Sequence, residues 1–494
     1  MTDRRQTAVV GSGAGGLTLA LLLARAGRRV TLIESQPEIG GYLRRFTRNG
    51  VRFDTGYHFS GGYTNIMPQM MRVLGMDDAA RADAISNRII LRQSGDDLTV
   101  PARCGYRGAE EAFCRHFPGD AAALHRLFEA LREIWRDTPM RDLSDITPPK
   151  LEISRYDMIT VRNFCDSIAL GPATAAAAGS VAMCHGSLPC EATMTFHARV
   201  AFALYDDLAR PFGGGDPMIA AFKREAAKLG ITIRTGTSLR RFDDMDGNGE
   251  CRLAHLSDGT DLEVDQVFFA VHPLAVQDVL PERAFTPALC RRLRRQQDST
   301  SFFCSYYTVD DEAELTPGLV SLLSHNDLDA ILRGENAYST GYLLGREADA
   351  QGRMRSTVAA FRTMPPGVPE APATRAGRRD DRRYQEFKAR ITEEIADDLT
   401  QICPELKGRL HPAAAGTPLT CRDYDPPTGS AYGVRNICGQ SRLCGRLPVR
   451  NFFIAGHSAL VPGVMGTMLA SFTVFRLALG EEVYCRLIRE AGLA

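Results

Sequence analysis

The sequence predicts an α/β protein in which a parallel, nucleotide-binding sheet is interleaved with a second, α+β domain. Three stretches of the 494 residues predict the sheet: a strand–turn–helix–strand unit at residues 7–34, a glycine–helix–strand unit at 212–242, and an apolar strand leading into a glycine-rich helix start at 451–479. Strands that alternate with helices of this length are typical of parallel sheets. The chain is long enough for two or three domains.

The first unit carries a dinucleotide-binding pattern. An apolar strand (7–10) leads into G-x-G-x-x-G (11–16), a Leu- and Ala-rich helical run (17–26) and a second apolar strand (30–33) that ends at Glu34. Free N–H groups and the positive dipole at a helix start bind phosphate. An acidic residue at the end of the second strand accepts hydrogen bonds from ribose hydroxyls and disfavours a 2′-phosphate. The unit therefore predicts a dinucleotide site that does not favour NADP.

The middle of the chain repeats the same alternation. Residues 218–229 predict an amphipathic helix, and the apolar residues 231–233 predict the strand that follows it. Leu239 is predicted to lie in a short strand, and Asp258-Gly259 has the composition of a hairpin turn. Residues 265–271 predict another buried strand, which ends before His272-Pro273.

Further motifs resemble one group of flavoproteins. Gly40-Gly41, the run 53–58 (FDTGYH) and residues 451–471 resemble phytoene desaturase, carotenoid isomerase and retinol saturase-like members of the amine oxidase superfamily. The loop 428–433, with residues 440–442 behind it, is similar to the corresponding loop of the isomerases and saturases. The resemblance implies FAD as the cofactor, bound by a Rossmann-like domain.

The resemblance also implies a discontinuous division of the chain. The FAD-binding domain is expected to comprise residues 1–95, 205–285 and 420–494, and the substrate domain residues 96–204 and 286–419. The resemblance covers the first of these domains well and the second poorly.

Elements of the substrate domain are predicted from pattern alone. Residues 157–178 predict a helix, and residues 302–309 and 356–363 predict strands. The charged stretch 375–390 is interpreted as a solvated loop and helix face.

Two positions depart from the pattern of the resembled family. Tyr42 stands where many relatives have Arg or Lys after the double glycine, so Arg44 or Arg45 is expected to substitute. His457 stands where many relatives carry Asp, Glu or Gln. The residues that the resemblance places at the cofactor are Gly11, Gly13, Ala14, Gly15, Gly16, Glu34, Ser35, Gly40, Gly41, Tyr42, Arg44, Arg45, Leu239, Gly456, His457, Gly463, Val464, Met465, Gly466 and Thr467.

The implied activity is that of an FAD-dependent oxidoreductase. The resemblance implies desaturation, saturation or cis–trans isomerisation of a hydrophobic polyene or isoprenoid-like substrate. The chain has a single dinucleotide fingerprint, so we expect no dedicated NAD(P)H domain and an external electron donor or acceptor. A general acid or base would help the reaction. By residue type, His457, Tyr432, His58 and His185 are the candidate catalytic residues.

Other functions remain as alternatives. An amine or amino-acid oxidase of the same fold commonly uses an aromatic cage, for which Tyr432 is the aromatic residue near the carboxyl-terminal motif. A flavin enzyme of secondary metabolism and a fatty-acid double-bond isomerase use the same cofactor site. A prenyl-binding protein without redox activity is disfavoured, because all three nucleotide segments are intact.

The composition limits which binding partners and which cellular compartment are expected. Lys and Arg total 59, as do Asp and Glu, so nothing favours a nucleic-acid partner. The thirteen cysteines contain no C-x-x-C, which disfavours a bound metal and favours reduced thiols in a cytoplasmic protein. The amino terminus shows no secretory signal. There is no apolar run of about 18 residues, so no spanning helix is expected. The sequence does not indicate an oligomeric state.

One methionine-rich stretch has two interpretations. Residues 64–76 (TNIMPQMMRVLGM) predict a short amphipathic helix after Pro68. Such a helix serves either as part of the core or as an adaptable apolar wall for a substrate or lipid surface. The second interpretation, with the expected apolar substrate, leads to the hypothesis of peripheral membrane contact.

Overall fold

The computed structural model describes residues 5–147, 153–310, 315–366, 371–372, 374–424 and 427–493. These residues form twenty strands and sixteen α-helices. The strands are β1 (Gln6–Val10), β2 (Arg29–Ile33), β3 (Arg45–Arg48), β4 (Val51–Asp54), β5 (Ala82–Ala84), β6 (Ser86–Leu91), β7 (Asp96–Val100), β8 (Ala209–Pro211), β9 (Thr232–Arg234), β10 (Leu239–Phe242), β11 (Leu253–Leu256), β12 (Asp261–Glu263), β13 (Gln266–Phe269), β14 (Ser301–Val309), β15 (Gly318–Leu323), β16 (Ser339–Ala348), β17 (Met354–Met364), β18 (Leu410–Gly416), β19 (Gly445–Arg446) and β20 (Phe452–Ile454). The helices are α1 (Ala14–Arg25), α2 (Ile66–Leu74), α3 (Gly105–His116), α4 (Ala121–Arg136), α5 (Val161–Ser167), α6 (Pro172–Gly179), α7 (Met194–Asp207), α8 (Asp216–Leu229), α9 (Pro273–Val279), α10 (Pro287–Arg294), α11 (Leu328–Arg333), α12 (Arg375–Asp380), α13 (Arg382–Ile402), α14 (Pro418–Tyr424), α15 (Gly463–Leu479) and α16 (Glu481–Glu490).

A six-stranded sheet forms the half of the molecule that is predicted to bind a nucleotide. Its strand order is β19-β20-β13-β1-β2-β9, and every neighbouring pair except β19–β20 is parallel. Helix α1 packs against α15, α8 and β2, so that its Leu-rich faces are buried in the largest apolar cluster. The strands predicted at 7–10, 30–33 and 265–271 are confirmed, as is the α/β fold class.

The turn from β1 into α1 shows why glycines are required there. Gly11 has a φ of +92°, which is in the left-handed region that favours glycine. A Cβ atom on Gly16 would overlap the carbonyl oxygen of Gly11. The helix can therefore approach the strand only if both positions lack a side chain.

A small antiparallel sheet, β10-β11-β12, follows the strand β9. The predicted hairpin turn at Asp258-Gly259 joins β11 to β12, and Gly259 has a φ of +81°. Leu239 begins β10, as predicted, and is buried at the edge of the nucleotide-binding half.

A seven-stranded sheet, in the order β18-β14-β17-β16-β15-β6-β7, forms the second half. The strands predicted at 302–309 and 356–363 are confirmed as β14 and β17, which pair antiparallel. Strand β6 pairs with β15 and with β7, so the domain boundary predicted at residue 95 falls inside the β6–β7 hairpin of this sheet. The sheet buries one face against α13 through Ile391, Ile395 and Leu399.

The methionine-rich helix belongs to the core. Helix α2 begins at Ile66, before Pro68 rather than after it, and Asn65 caps it. Its three methionines, Met67, Met70 and Met71, are fully buried with their apolar neighbours. The core interpretation is confirmed. The lipid-surface and substrate-wall interpretation is wrong, and the membrane hypothesis loses this support.

The helix predicted at residues 157–178 is broken in the structure. It forms α5 and α6, which are separated by a turn in which Ala169 has a φ of +56°. Pro172 at the start of α6 disfavours helical geometry in Gly171 before it. Within the described residues, none of the helices combines the length and the apolar character needed to cross a bilayer.

Candidate cofactor and substrate site

A large cavity opens where the carboxyl ends of the parallel strands meet two helix starts. It encloses about 2780 Å³ of atom-free space, including its mouth. Its walls include the start of α1, Glu34 after β2, Val271 after β13, and the segment from Gly456 to the start of α15. Ligands of open α/β sheets bind at this position, outside the carboxyl ends of the strands.

The cavity wall fits a dinucleotide with a pyrophosphate. Helix α1 begins after Gly13 and α15 begins after Pro462, and neither start has a side-chain cap or an acidic residue in its first turn. Their N–H groups are therefore available to an anion. A Cβ atom on Gly13 or on Gly463 would meet no atom within 4 Å. The space above both helix starts is therefore open for a ligand.

Glu34 is held in place at the wall of this cavity. Its Oε2 accepts hydrogen bonds from the Ser12 backbone N–H at 2.9 Å and from the Ser12 hydroxyl at 2.6 Å. Its Oε1 accepts one from the Gln36 N–H at 2.7 Å. A carboxylate has about four acceptor positions. The Ser35 hydroxyl donates a longer bond to Oε1 at 3.3 Å, so the protein orients the Glu34 carboxylate, and this weakest bond is the one that a ribose hydroxyl can replace.

All but four of the residues predicted to contact the cofactor line the cavity. The exceptions are Gly16, Gly40, Gly466 and Arg45. Gly16 and Gly466 instead allow close packing, since a Cβ atom on either would overlap a backbone carbonyl. Gly40 has a φ of +121°, and its N–H donates to the Ser12 carbonyl at 3.0 Å.

The structure separates the two arginines that were expected to replace a basic residue at position 42. Arg44 lines the cavity, with its guanidinium 5.0 Å from the centre of the Tyr424 ring. Arg45 lies in a buried ion cluster, where its Nε is 2.8 Å from Asp54 and its Nη2 is 2.7 Å from Glu347. Only Arg44 is therefore positioned to meet a cofactor.

A second cavity, called here the apolar arm, adjoins the first. It comprises about 870 Å³ of atom-free space, including its mouth, and is bounded by β6, β15, β16 and α7. Its charged lining residues are Arg103 and Asp206. The residues that line both cavities, and so form their junction, are Phe59, Cys184, Leu204, Phe302, Phe361 and Tyr432. Among them, only Tyr432 was predicted from the sequence to be a functional residue.

Tyr432 is held rigidly at this junction. Its backbone N–H donates to the Ser299 hydroxyl at 3.0 Å, and the Ser299 N–H donates to the Gly433 carbonyl at 2.8 Å. The Tyr432 ring packs edge-on against Phe302, with centroids 6.0 Å apart. Burial raises the pKa of the Tyr432 hydroxyl well above its ordinary value. The group therefore stays protonated and can donate a hydrogen bond or a proton.

Two of the three candidate histidines share the cavity with Tyr432. His58 lines it and stacks on Phe361, with ring centroids 4.9 Å apart. His457 lines it beside Gly433. His185 is not among the lining residues, and its Nε2 lies 3.0 Å from His197 Nδ1 in the substrate domain. Burial and the neighbouring His197 lower the pKa of His185 well below its ordinary value, so it remains neutral.

His272 lines the cavity but was not predicted as a site residue from the sequence. Its Nδ1 accepts a hydrogen bond from the Leu274 N–H at 3.3 Å, and its Nε2 lies 3.0 Å from Asp298. Burial, the largest single effect, raises the pKa of Asp298. Hydrogen bonding to His272, together with smaller effects, outweighs it, so the pKa of Asp298 is below its ordinary value. The position of His272 three residues after β13, at the carboxyl end of a buried parallel strand, could have indicated a cavity residue.

Known proteins resemble this chain over most of its length. An all-trans-retinol 13,14-reductase of Danio rerio is 20% identical over 532 residues, covering 96% of this chain and 86% of that protein. A phytoene desaturase of Cercospora nicotianae is 24% identical over 288 residues, covering 54% of this chain and 45% of that protein. The cyclohexylamine oxidase structure from Brevibacterium oxydans IH-35A has a TM-score of 0.60 at 15% identity, covering 99% of this chain and 100% of that one. The last likeness shows the fold alone.

The family profile described as flavin containing amine oxidoreductase matches residues 14–471. This match confirms the predicted superfamily, the predicted FAD cofactor and the prediction of an oxidoreductase. The uncapped helix starts and the oriented Glu34 supply the site that such a cofactor needs. The chain belongs to the family of flavin-containing amine oxidoreductases.

Proposed function

We propose that this protein saturates a carbon–carbon double bond of an elongated hydrophobic polyene, with FAD as its cofactor. The observation that supports the substrate class is the apolar arm, which leads from the cofactor cavity into the substrate domain. The similarity to retinol 13,14-reductases over nearly the whole chain favours saturation over desaturation. The partial similarity to phytoene desaturases supports a polyene in either direction.

The arm binds the substrate chain and keeps water from the reacting bond. Val100, Val181, Leu319 and Leu323 give it apolar walls. Burial of apolar surface stabilises a bound polyene by about 25 cal/mol per Å². The aromatic residues at the junction with the cofactor cavity then orient the double bond.

Tyr432 is the residue that we assign to proton donation. When bound and reduced, FAD supplies a hydride, and saturation needs a proton at the other carbon of the double bond. Tyr432 lines both cavities and keeps its proton because it is buried. His457, on the cofactor side of the same junction, is the second candidate.

The test is an anaerobic half-reaction. The bound flavin is reduced with dithionite and mixed with all-trans-retinol, and its absorbance is followed near about 450 nm. We expect the polyene to reoxidise the flavin and to gain two hydrogen atoms, as measured by mass spectrometry. Failure of retinol and of carotenoid polyenes to reoxidise a flavin that oxygen still reoxidises would contradict the proposal. Bleaching of the oxidised flavin by amines would favour an amine oxidase instead.

A further inference from the structure

His58 has two ring nitrogens in different surroundings. Its Nδ1 is buried and has no hydrogen-bond partner among the described residues. Its Nε2 is not among the buried unpaired atoms and has no hydrogen-bond partner in the described part of the chain, so it remains accessible. His58 lines the cofactor cavity, and stacking on Phe361 fixes the plane of its ring. The Nε2 edge therefore faces the ligand space.

The protonation state of His58 follows from its surroundings. Burial lowers the pKa of His58 to about 4, while the nearby Asp54 and Arg210 act in opposite directions. The ring is thus neutral near pH 7 and carries one hydrogen atom. A buried N–H without an acceptor costs its full desolvation, whereas an unpaired acceptor is better tolerated. The hydrogen atom is therefore on Nε2, and His58 offers a donor to the cavity.

The wall around this donor is apolar. Phe59, Phe302 and Phe361 lie at the same junction, and Cys304 also lines the cavity. Burial holds the Cys304 thiol protonated by raising its pKa far above the ordinary value. None of these side chains offers a strong acceptor to an N–H group. A ligand that covers His58 must supply the acceptor or leave the donor unsatisfied.

We propose that His58 donates a hydrogen bond from Nε2 to an oxygen of the substrate, so that the substrate is an oxygenated polyene rather than a hydrocarbon. This inference rests on the proposed function and narrows its substrate class. It assigns His58 to substrate recognition, as a neutral donor, instead of to proton transfer. The carbonyl oxygens of the flavin offer the same acceptor chemistry, and the experiment separates the two sources.

The experiment compares two polyenes with the FAD-loaded protein. All-trans-retinol and its 15-deoxy analogue, which differ only by the hydroxyl group, are titrated while changes in flavin absorbance are recorded. We expect the wild type to bind the alcohol about tenfold more tightly, as one hydrogen bond provides. His58→Phe keeps the stacked ring and should bind both polyenes equally. His58→Gln keeps an N–H donor and should restore part of the preference.

A matched variant and the flavin spectrum make the result decisive. Phe59→Leu alters the neighbouring wall without removing a hydrogen-bond donor, so it should weaken the binding of both polyenes equally. Equal binding of the two polyenes by the wild type, or an equal loss of both in His58→Phe, would overturn the inference while leaving the proposed function intact. A His58→Phe protein that keeps the preference but has a shifted flavin spectrum or potential would assign the donor to the flavin and overturn it too. If the wild type binds neither polyene, the proposed function fails, and this inference fails with it.

Discussion

Two glycines of the turn between β1 and α1 differ in the atoms that an added methyl group would contact. On Gly16 it would overlap the carbonyl oxygen of Gly11, whereas on Gly13 it would meet no atom within 4 Å. We expect Gly16→Ala to destabilise the flavin-free protein by about 3 kcal/mol, because packed backbone must move. Gly13→Ala should leave that stability unchanged but weaken FAD binding by about tenfold or more, because the methyl group occupies the ligand space.

Thermal melts of the apoprotein and FAD titrations check both expectations. Gly119→Ala is the matched control, since a Cβ there also meets nothing within 4 Å and Gly119 does not line the cavity. A Gly13→Ala protein with normal FAD affinity would contradict the assignment of the α1 start to the pyrophosphate.

The hydroxyl of Tyr432 is the second residue whose role can be measured. We expect Tyr432→Phe to lower turnover by about a hundredfold, the lower range for a lost proton donor, while FAD content is unchanged. Because burial raises the Tyr432 pKa, we expect no loss of turnover from its ionisation below about pH 10. Tyr338→Phe is the control, since that hydroxyl bonds Asp398 away from both cavities. Equal turnover in Tyr432→Phe and the wild type would remove Tyr432 from the mechanism.

At this scale the sequence could predict residues whose role depends on local chain geometry. The glycines of the first turn and Glu34 follow from spacing along one βαβ unit. Arg45 and His185 were placed wrongly with respect to the cavity, because their partners Glu347 and His197 come from other elements. Side-chain direction at those positions depends on tertiary contacts that a single sequence does not display.

The loop that carries Tyr432 is held in place by hydrogen bonds to the neighbouring segment 299–301. The hydroxyl of Ser299 accepts from the Tyr432 N–H, and the hydroxyl of Ser301 donates to the Gly429 carbonyl at 2.7 Å. We expect Ser299→Ala to lower turnover by about tenfold through misplacement of Tyr432, with FAD still bound. Ser305→Ala is the control, because that buried hydroxyl lies on β14 but bonds Thr392 instead of the loop. Equal effects of the two substitutions would indicate a loss of stability rather than of positioning.

The small sheet β10-β11-β12 contains a pH-dependent contact. His255 Nε2 lies 2.8 Å from Asp243, and its Nδ1 lies 2.7 Å from Asp261. Hydrogen bonds to Asp243 and then Asp261 raise the His255 pKa. A histidine with a higher pKa in the folded chain stabilises the fold fully below its unfolded pKa of about 6.5, and the effect disappears as pH rises through the folded value.

We therefore expect the Tm of the wild type to exceed that of His255→Gln at about pH 5.5, by about 1 °C because the site is exposed. The difference should vanish at about pH 9 and shrink with added salt. His125→Gln is the comparison variant, because His125 contacts a single carboxylate, that of Glu110. A difference that grows with rising pH would contradict the sign of this coupling.

Elements were predictable where periodicity was strong and local. The apolar periodicity of α8 and the turn dipeptide Asp258-Gly259 were sufficient to predict these elements without knowledge of the fold. The helix predicted at 157–178 failed because the alanine-rich run outweighed the Gly171-Pro172 signal. Strands β15 and β16 were missed, although Pro317-Gly318 marks the start of β15, because β15 is paired in parallel with the distant β6, a contact that no local pattern displays.

The buried ion cluster ties the two halves of the molecule together. Asp54, at the end of β4, lies 2.8 Å from Arg45 and 3.1 Å from Arg210, and both arginines also pair with Glu347 on β16. We expect Asp54→Asn to lower the free energy of unfolding by about 3 kcal/mol, because it leaves buried charge uncompensated.

Chemical denaturation of the FAD-loaded protein measures this effect. Asp78→Asn is the matched control, since it breaks a solvent-exposed pair with Arg224 that should contribute little to stability. Similar losses in the two variants would mean that the cluster does not join the halves energetically.

For the whole molecule, the sequence predicted the cofactor half much better than the substrate half. The apolar arm is built from β6, β15, β16 and α7, and Ile85, Met183 or Leu323 alone is indistinguishable from an ordinary core residue. A cavity forms where the side chains of such residues leave unfilled space between them in the folded protein. It has no pattern along the chain.

The nucleotide-binding sheet takes its strands from residues 6–33, 232–269 and 445–454. At about 5–20 residues per second, a ribosome needs roughly 25–100 s to make 494 residues. Until residues 445–463 have been made, the amino-terminal strands have no complete partner sheet, and the helix start at Gly463 does not yet exist. A complete flavin site therefore cannot form until the chain has been synthesised as far as the start of α15, so FAD binding must follow the synthesis of nearly all the strands described above.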